Sequence, residues 1–279
     1  MRVGCHVSIR GGYLAAAVRA AGLGCAAFQY FPKNPRSLDV KAFDRADARR
    51  CAAYCREHGI VSVAHAPYPA NLAAERPEAR GRVIASLLND LEIAEACGSI
   101  GVVVHFGTYN GADPLAGYRL VIGALDAVLA CWDGSAKLLI ENQAGDRAPM
   151  GTTPEELVRI RALCSRPERV GFCLDTCHLF ASGEWDGRNA ADWIRRAREL
   201  GFFDHLAAVH ANDSAYASGL RRDRHAPLGT GRIGADGFRR LLGAPEFRRL
   251  PAIIETPETG DLPHARQMRL LREWLGEDE

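Results

Sequence analysis

The chain has 279 residues, 47% of them hydrophobic and 25% charged, which excludes a disordered, collagen-like or disulfide-stapled protein. Its 35 basic and 34 acidic residues leave a formal charge of +1, so any nucleic-acid binding must rest on a local patch. No apolar run approaches the roughly 18 residues that span a bilayer, and the start MRVGCHVSIRGG lacks an export signal; a cytoplasmic protein without membrane contact is expected.

In chain order, short apolar runs alternate with longer amphipathic stretches. A strand over 2–9 is followed by an alanine-rich helix over 12–21 that stops at Gly22, and a strand over 25–31 by a helix over 44–58. A strand over 61–66 precedes a helix over 80–97, closed by Gly98. Strands follow over 101–106 and 137–142. Next, Thr153, Pro154 and Glu156 form the capping-box signature of a helix start. A strand over 170–176 precedes a helix over 189–200; a strand over 206–212 precedes a helix over 235–242; a strand over 251–256 precedes a helix over 262–275. Continuous apolarity in strands this short suits a parallel sheet covered on both faces. Strand and helix alternate with no Ser-, Gly- or Pro-rich linker, which predicts one α/β domain over 1–279, a (β/α)8 TIM barrel. The rival doubly wound sheet usually carries GxGxxG after its first strand, and CHVSIRGG lacks it.

The nine cysteines, from Cys5 to Cys177, are an odd number without an export signal and read as reduced thiols. Most sit in apolar contexts such as GLGCAAF, where cysteine serves as a small core residue. Cys173 and Cys177 lie near a histidine but lack the two-residue spacing and second pair of a zinc knuckle.

The informative feature is what closes each apolar run. Strand three ends in His65, strand four in His105 and strand five in Glu141. Strand six reads CLDTCH and delivers Asp175 and His178; strand seven delivers His210, with Asn212 and Asp213 just beyond; strand eight delivers Glu255. The segment DRH adds Asp223 and His225, two residues apart and so on one side of an extended chain. In a (β/α)8 barrel those strand ends converge on the active site. One buried histidine is unremarkable, but four carboxylates and five imidazoles closing six strands and one loop would repel or remain unpaired unless cations join them. Imidazole with carboxylate suits zinc, with manganese or iron admissible at one position. Nine donors exceed one ion and fit three. Such a cluster calls for a polyanionic substrate and suits phosphate chemistry.

At these residues the sequence resembles endonuclease IV, the zinc-dependent apurinic/apyrimidinic endonuclease family. The resemblance runs nearly end to end, through HVSIRGG, FPKNPR, HAPYPANL, VVHFGT, IENQAG, CLDTCHLFASG, HANDS, DRHAPLGTGRIG and IIETP. It implies three zinc ions in the barrel. His65, His105 and Glu141 would hold the first; Glu141 would bridge to the second with Asp175, His210 and Glu255; His178, Asp223 and His225 would hold the third. The implied reaction is hydrolysis of the phosphodiester 5′ to an abasic site in duplex DNA, leaving a 3′-hydroxyl and a 5′-deoxyribose phosphate. Removal of blocking groups from 3′ ends is implied as well. Glu141 would orient or deprotonate the attacking water as the catalytic residue. Lys33 and Arg36 in FPKNPR, and Tyr68 after His65, would contact DNA. A monomer is expected.

The chain departs from the family pattern in places that carry no metal donor. Leu38 stands where tryptophan is usual, Pro69 follows Tyr68, Phe106 replaces a proline, Asp146 and Arg147 replace a glycine-containing pair, and Ala215 replaces a lysine. The main competing reading is a single-metal sugar isomerase or epimerase of the xylose-isomerase-like barrels, which would use only Glu141, Asp175, His210 and Glu255. A non-catalytic DNA-binding module would need a basic surface that the net charge does not suggest.

Overall fold

The computed structural model describes residues 1–276; the last three positions of the expected 1–279 domain lie outside the described residues. Eight parallel strands close into a barrel: β1 (Arg2–His6), β2 (Ala27–Tyr30), β3 (Val61–His65), β4 (Gly101–His105), β5 (Lys137–Glu141), β6 (Val170–Asp175), β7 (Leu206–His210) and β10 (Pro251–Ile254). Neighbours run in sequence order, and β10 pairs with β1 to complete the closure. β8 (Asp213–Ser214) and β9 (His225–Ala226) form a small antiparallel ribbon in the long loop after β7.

The helices that separate and flank the strands are α1 (Tyr13–Gly22), α2 (Arg45–Glu57), α3 (Pro77–Ala96), α4 (Pro114–Leu129), α5 (Pro154–Leu163), α6 (Thr176–Ser182), α7 (Ala190–Glu199), α8 (Gly234–Leu242) and α9 (His264–Leu275). Their starts follow the local chemistry. The Asp44 side chain accepts from the Ala46 and Asp47 amides at the head of α2, and Thr153 with Glu156 closes a full capping box on α5. Glu156 also accepts from the amides of Gly151 and Thr152 and from the Tyr118 hydroxyl, so this cap ties α5 to α4 and to the loop after β5. No helix among the described residues is long and apolar enough to cross a membrane.

All eight predicted strands are present, each shorter than predicted. Two helices were not in the sequence expectation. α4 is apolar on more than its buried face, with Leu115 exposed, so its periodicity is faint. α6 starts on the residue after β6 ends, so strand and helix share one apolar run.

Two apolar layers hold the barrel. The larger packs the outward side chains of the strands under the helices, including Phe28, Val102, Leu138, Phe172 and Ile254. The smaller fills the lumen with Val63, Val103, Leu139, Cys173 and Ala208, one from each of β3 to β7. Cys173 is thus a lumen packing residue. Side chains two apart on a strand share a face. The residues two positions onward from this lumen layer are His65, His105, Glu141, Asp175 and His210. The barrel interior therefore changes from apolar filling to metal-type donors within one pleat.

Candidate metal centre

The nine predicted donors come together at the C-terminal mouth of the barrel in three groups, with the donor atoms of each group within 4.8 Å of one another. His65, His105 and Glu141 make the first. Glu141, Asp175, His210 and Glu255 make the second. His178, Asp223 and His225 make the third. Glu141 is common to the first two. A fourth grouping, Asp175 with Cys177 and His225, brings one thiol to the edge of the cluster.

Sheet register sets much of this. His105 pairs with Glu141 across β4 and β5, and Asp175 with His210 across β6 and β7, so these donors share a level. Asp175 has a second task as N-cap of α6, accepting from the His178 amide at 2.7 Å, which turns the His178 ring into the mouth. Asp223 and His225 arrive on the loop after β7. The buried Asp213 carboxylate accepts from the amides of Ser214, Gly229, Gly231 and Ile233 at 2.9–3.1 Å, and so pins both ends of that loop. Gly107 brings the loops after β3 and β4 into contact: at φ 107° it lies where a Cβ would sit 2.4 Å from Asn71 Oδ1.

The donor set is suited to cations. Glu141 is buried, its Oε1 lies 3.0 Å from His210 Nδ1, and its Oε2 has no hydrogen-bond partner among the described residues. That orphaned oxygen lies 3.5 Å from His65 Nε2 and 3.4 Å from His105 Nε2. An unpartnered carboxylate oxygen in the interior is costly unless a cation completes it. The electrostatics of the cluster agree. Burial alone would raise Glu141, yet the His210 and His105 imidazoles hold it well below the ordinary carboxylate range. Burial would lower His178 and His210, but Asp175 and Asp223 beside the first, and Cys173, Glu255 and Glu141 beside the second, push both well above the ordinary value. His105, faced by His65 and His178, is instead pushed by burial down to about 4. Divalent ions held by these donors would displace the protons that the acids and imidazoles otherwise share.

Around the donors lie further polar residues; Asn212 was expected just beyond the end of strand seven, whereas Gln29 and Asn142 were not singled out from the sequence. Asn142 Oδ1 accepts from the Asp175 amide, and its backbone carbonyl lies 2.9 Å from His178 Nδ1. Asn212 donates to Asp175 Oδ2 at 2.6 Å and to Glu255 Oε2 at 3.2 Å. Gln29 reaches His210 and Glu255 from β2. The available signal was a polar residue interrupting an apolar strand, as in AAFQYF.

A cavity of about 580 Å³ opens beside the cluster, lined by His105, His178 and Asp223 on one side and by Tyr68, Asn71, Gln143, Asp146 and Arg147 on the others. Tyr68 is 60% exposed, its ring 5.1 Å from that of Phe31, and its amide donates to the Pro35 carbonyl. The loop carrying Arg36, itself exposed, is thereby tied to the rim. Lys33 corrects the expectation. It points inward, 2.9 Å from Asp90 Oδ1 on α3, and donates to the Ser86 carbonyl at 2.7 Å; its side chain is 2% exposed. It fastens the FPKNPR loop to α3 and is not at the surface where a phosphate would lie. Leu38, at the position where tryptophan is usual, packs half-buried against the core.

The family model described as a xylose isomerase-like TIM barrel matches residues 17–277. A relative named probable endonuclease 4, from Symbiobacterium thermophilum, is 42% identical over 275 residues, covering 99% of this chain and 100% of its own. The crystal structure of endonuclease IV from Thermus thermophilus superposes with a TM-score of 0.87 at 34% identity, over the whole of both chains. A D-tagatose 3-epimerase-like protein superposes with a TM-score of 0.74 at 20% identity over 99% of this chain and 97% of its own, a likeness of fold alone. The chain belongs to the endonuclease IV family of xylose isomerase-like TIM barrels.

Proposed function

We propose that this protein is a DNA-repair endonuclease that hydrolyses the phosphodiester 5′ to abasic sites in duplex DNA, using three zinc ions held by the nine donors. It would leave a 3′-hydroxyl and a 5′-deoxyribose phosphate, and would also clear blocked 3′ ends. The observation that carries the reading is the division of nine side chains into three donor groups joined through Glu141, whose Oε2 lacks any other partner. A single-metal epimerase would need only the second group. The separate clustering of His65 with His105, and of His178 with Asp223 and His225, favours the nuclease.

Bound divalent cations would supply positive charge to neutralise the phosphate and the departing oxygen. The chain's own residues supply the rest. Glu141, with Oε2 between His65 and His105, would orient or deprotonate the attacking water. Asp175 and Glu255, tied by Asn212, hold their level of the cluster rigid. Tyr68 stands exposed beside the cavity to enter the gap left by a missing base, and Arg36 on the adjoining loop meets backbone phosphate. An abasic nucleotide has no base to unstack, so its extrusion into the cavity costs little.

The test is a nicking assay on a duplex holding one abasic analogue, with metal content measured on the same sample. Expected are a single cut 5′ to the analogue and close to three zinc per chain, or two zinc with manganese or iron at one position. A protein with one tightly bound ion and no cut would refute the nuclease reading in favour of the epimerase.

A further inference from the structure

β1 and β2 are the barrel strands that supply none of the nine donors, yet each sends a polar side chain to the same mouth. His6 and Gln29 are cross-strand partners at their C-terminal ends, and Gln29 is fully buried. Gln29 makes three side-chain bonds. Its Nε2 donates to Glu255 Oε1 at 2.6 Å and lies 3.3 Å from His6 Nδ1; its Oε1 lies 2.8 Å from His210 Nε2.

These contacts leave one consistent assignment of hydrogens. An ionised Glu255 carboxylate only accepts, so the amide NH2 must face it and the amide carbonyl must face His210. A carbonyl oxygen only accepts, so His210 Nε2 carries a hydrogen. When a cation displaces the second ring proton of His210, the lone pair it meets is therefore on Nδ1. That atom lies 3.0 Å from Glu141 Oε1, 3.1 Å from Glu255 Oε2 and 3.9 Å from Asp175 Oδ2, among the other three members of its group. His6 takes the second amide hydrogen on Nδ1 and is itself packed on Phe31, with ring centroids 4.6 Å apart.

We propose that Gln29, braced by His6, is a positioning residue for the second cation site: it fixes His210 in the tautomer that offers Nδ1 and holds Glu255 against it. This rests on the three-metal reading above. The ligandless strands thereby become part of the metal centre. Groups that orient a ligating histidine typically alter metal affinity by about 10- to 100-fold when removed.

Two measurements test it. Gln29→Met keeps the length of the side chain and removes its hydrogen bonds. In chelator competition, zinc affinity should fall by about 10- to 100-fold at one of the three sites, the others staying as in the wild type. Unchanged affinity at all three sites would overturn the proposal. Independently of any variant, long-range 1H–15N correlation on the zinc-loaded wild-type protein should place the His210 ring hydrogen on Nε2. A hydrogen on Nδ1 would overturn it. A wild-type protein that holds no ion on Glu141, Asp175, His210 and Glu255 would overturn the metal reading and this inference together. Affinity unchanged by Gln29→Met in a protein that does hold the ion would sink this inference alone.

Discussion

Replacement of Lys33 by methionine separates a structural lysine from a DNA-contacting one. The ammonium and the Asp90 carboxylate are 2.9 Å apart with side chains 2% and 0% exposed, so Lys33→Met leaves a carboxylate in the interior with no cation. Breaking such a pair from one side typically costs about 3–5 kcal/mol, mostly the penalty of the stranded charge. For a protein of this size each kcal/mol lowers the melting temperature by roughly 2–4 °C, so a fall of about 10 °C is expected. Burial already raises the Asp90 pKa to about 7 despite Lys33, which fixes the sign of the pH dependence. The folded state holds a proton on Asp90 that the unfolded chain gives up near pH 4, so stability falls as pH rises through the window from about 4 to 7. Without Lys33 the window extends upward, and the deficit of the variant should be larger at pH 8 than at pH 5. Thermal melts at both pH values and the double variant Lys33→Met/Asp90→Leu complete the experiment; the double variant should recover much of the loss. A single variant that melts within about 2 °C of the wild type at pH 8 would refute the reasoning. So would a salt dependence of DNA binding shallower by about one charge with no loss of stability, which would return Lys33 to the phosphate-contacting class.

Glu141→Gln should fold and bind the abasic duplex yet cut it about 10³-fold or more slowly; turnover within tenfold of the wild type would remove Glu141 from the chemistry. Arg36→Ala should weaken DNA binding and flatten its salt dependence by about one charge while leaving metal content intact, and unchanged affinity would make Arg36 an ordinary surface residue. Chelator-stripped protein should release protons on taking up zinc, because the neighbouring acids raise His178 and His210 well above the ordinary histidine value, and apparent zinc affinity should rise between pH 6 and pH 8; a flat profile in buffered titrations would contradict this. Gly107→Ala should cost roughly 1–3 kcal/mol, read in denaturant unfolding, since the position combines positive φ with contact to Asn71; a neutral result would show that the two loops part freely.

The eight barrel strands were legible because strands buried on both faces read as uninterrupted apolar runs, and the donors were legible because each closes such a run. Asp223 and His225 were found through their alternate spacing and the family resemblance, since nothing local marks the loop as folding back over the mouth. α4 escaped because apolar residues spread beyond its buried face, although Asp113 and Pro114 announced its start. Lys33 was misplaced for a different reason. A lysine in a polar loop reads as exposed, and only the fold brings Asp90, 57 residues onward, to meet it. The contacts of Gln29 and Asn212 escaped any spacing rule, because their partners His210 and Glu255 close other strands of the barrel.

Asp213 divides the loop after β7 into two regimes of selection. One carboxylate gathers the amides at both ends of the segment, and the Ala215 amide, donating to the Arg224 carbonyl, ties its start to the turn that carries Asp223 and His225. The stretch between Ala215 and Arg222, with Arg222 resting over the Tyr216 ring, is itself docked on α6 and the turn after it: the Gly219 and Arg221 amides donate to the Phe180 and Ala181 carbonyls, and the Ser218 hydroxyl donates to the Trp185 carbonyl. Outward side chains such as Ala215 and Leu220 can therefore vary the relief of the rim while the Asp213 bonds keep both ends of the segment in place.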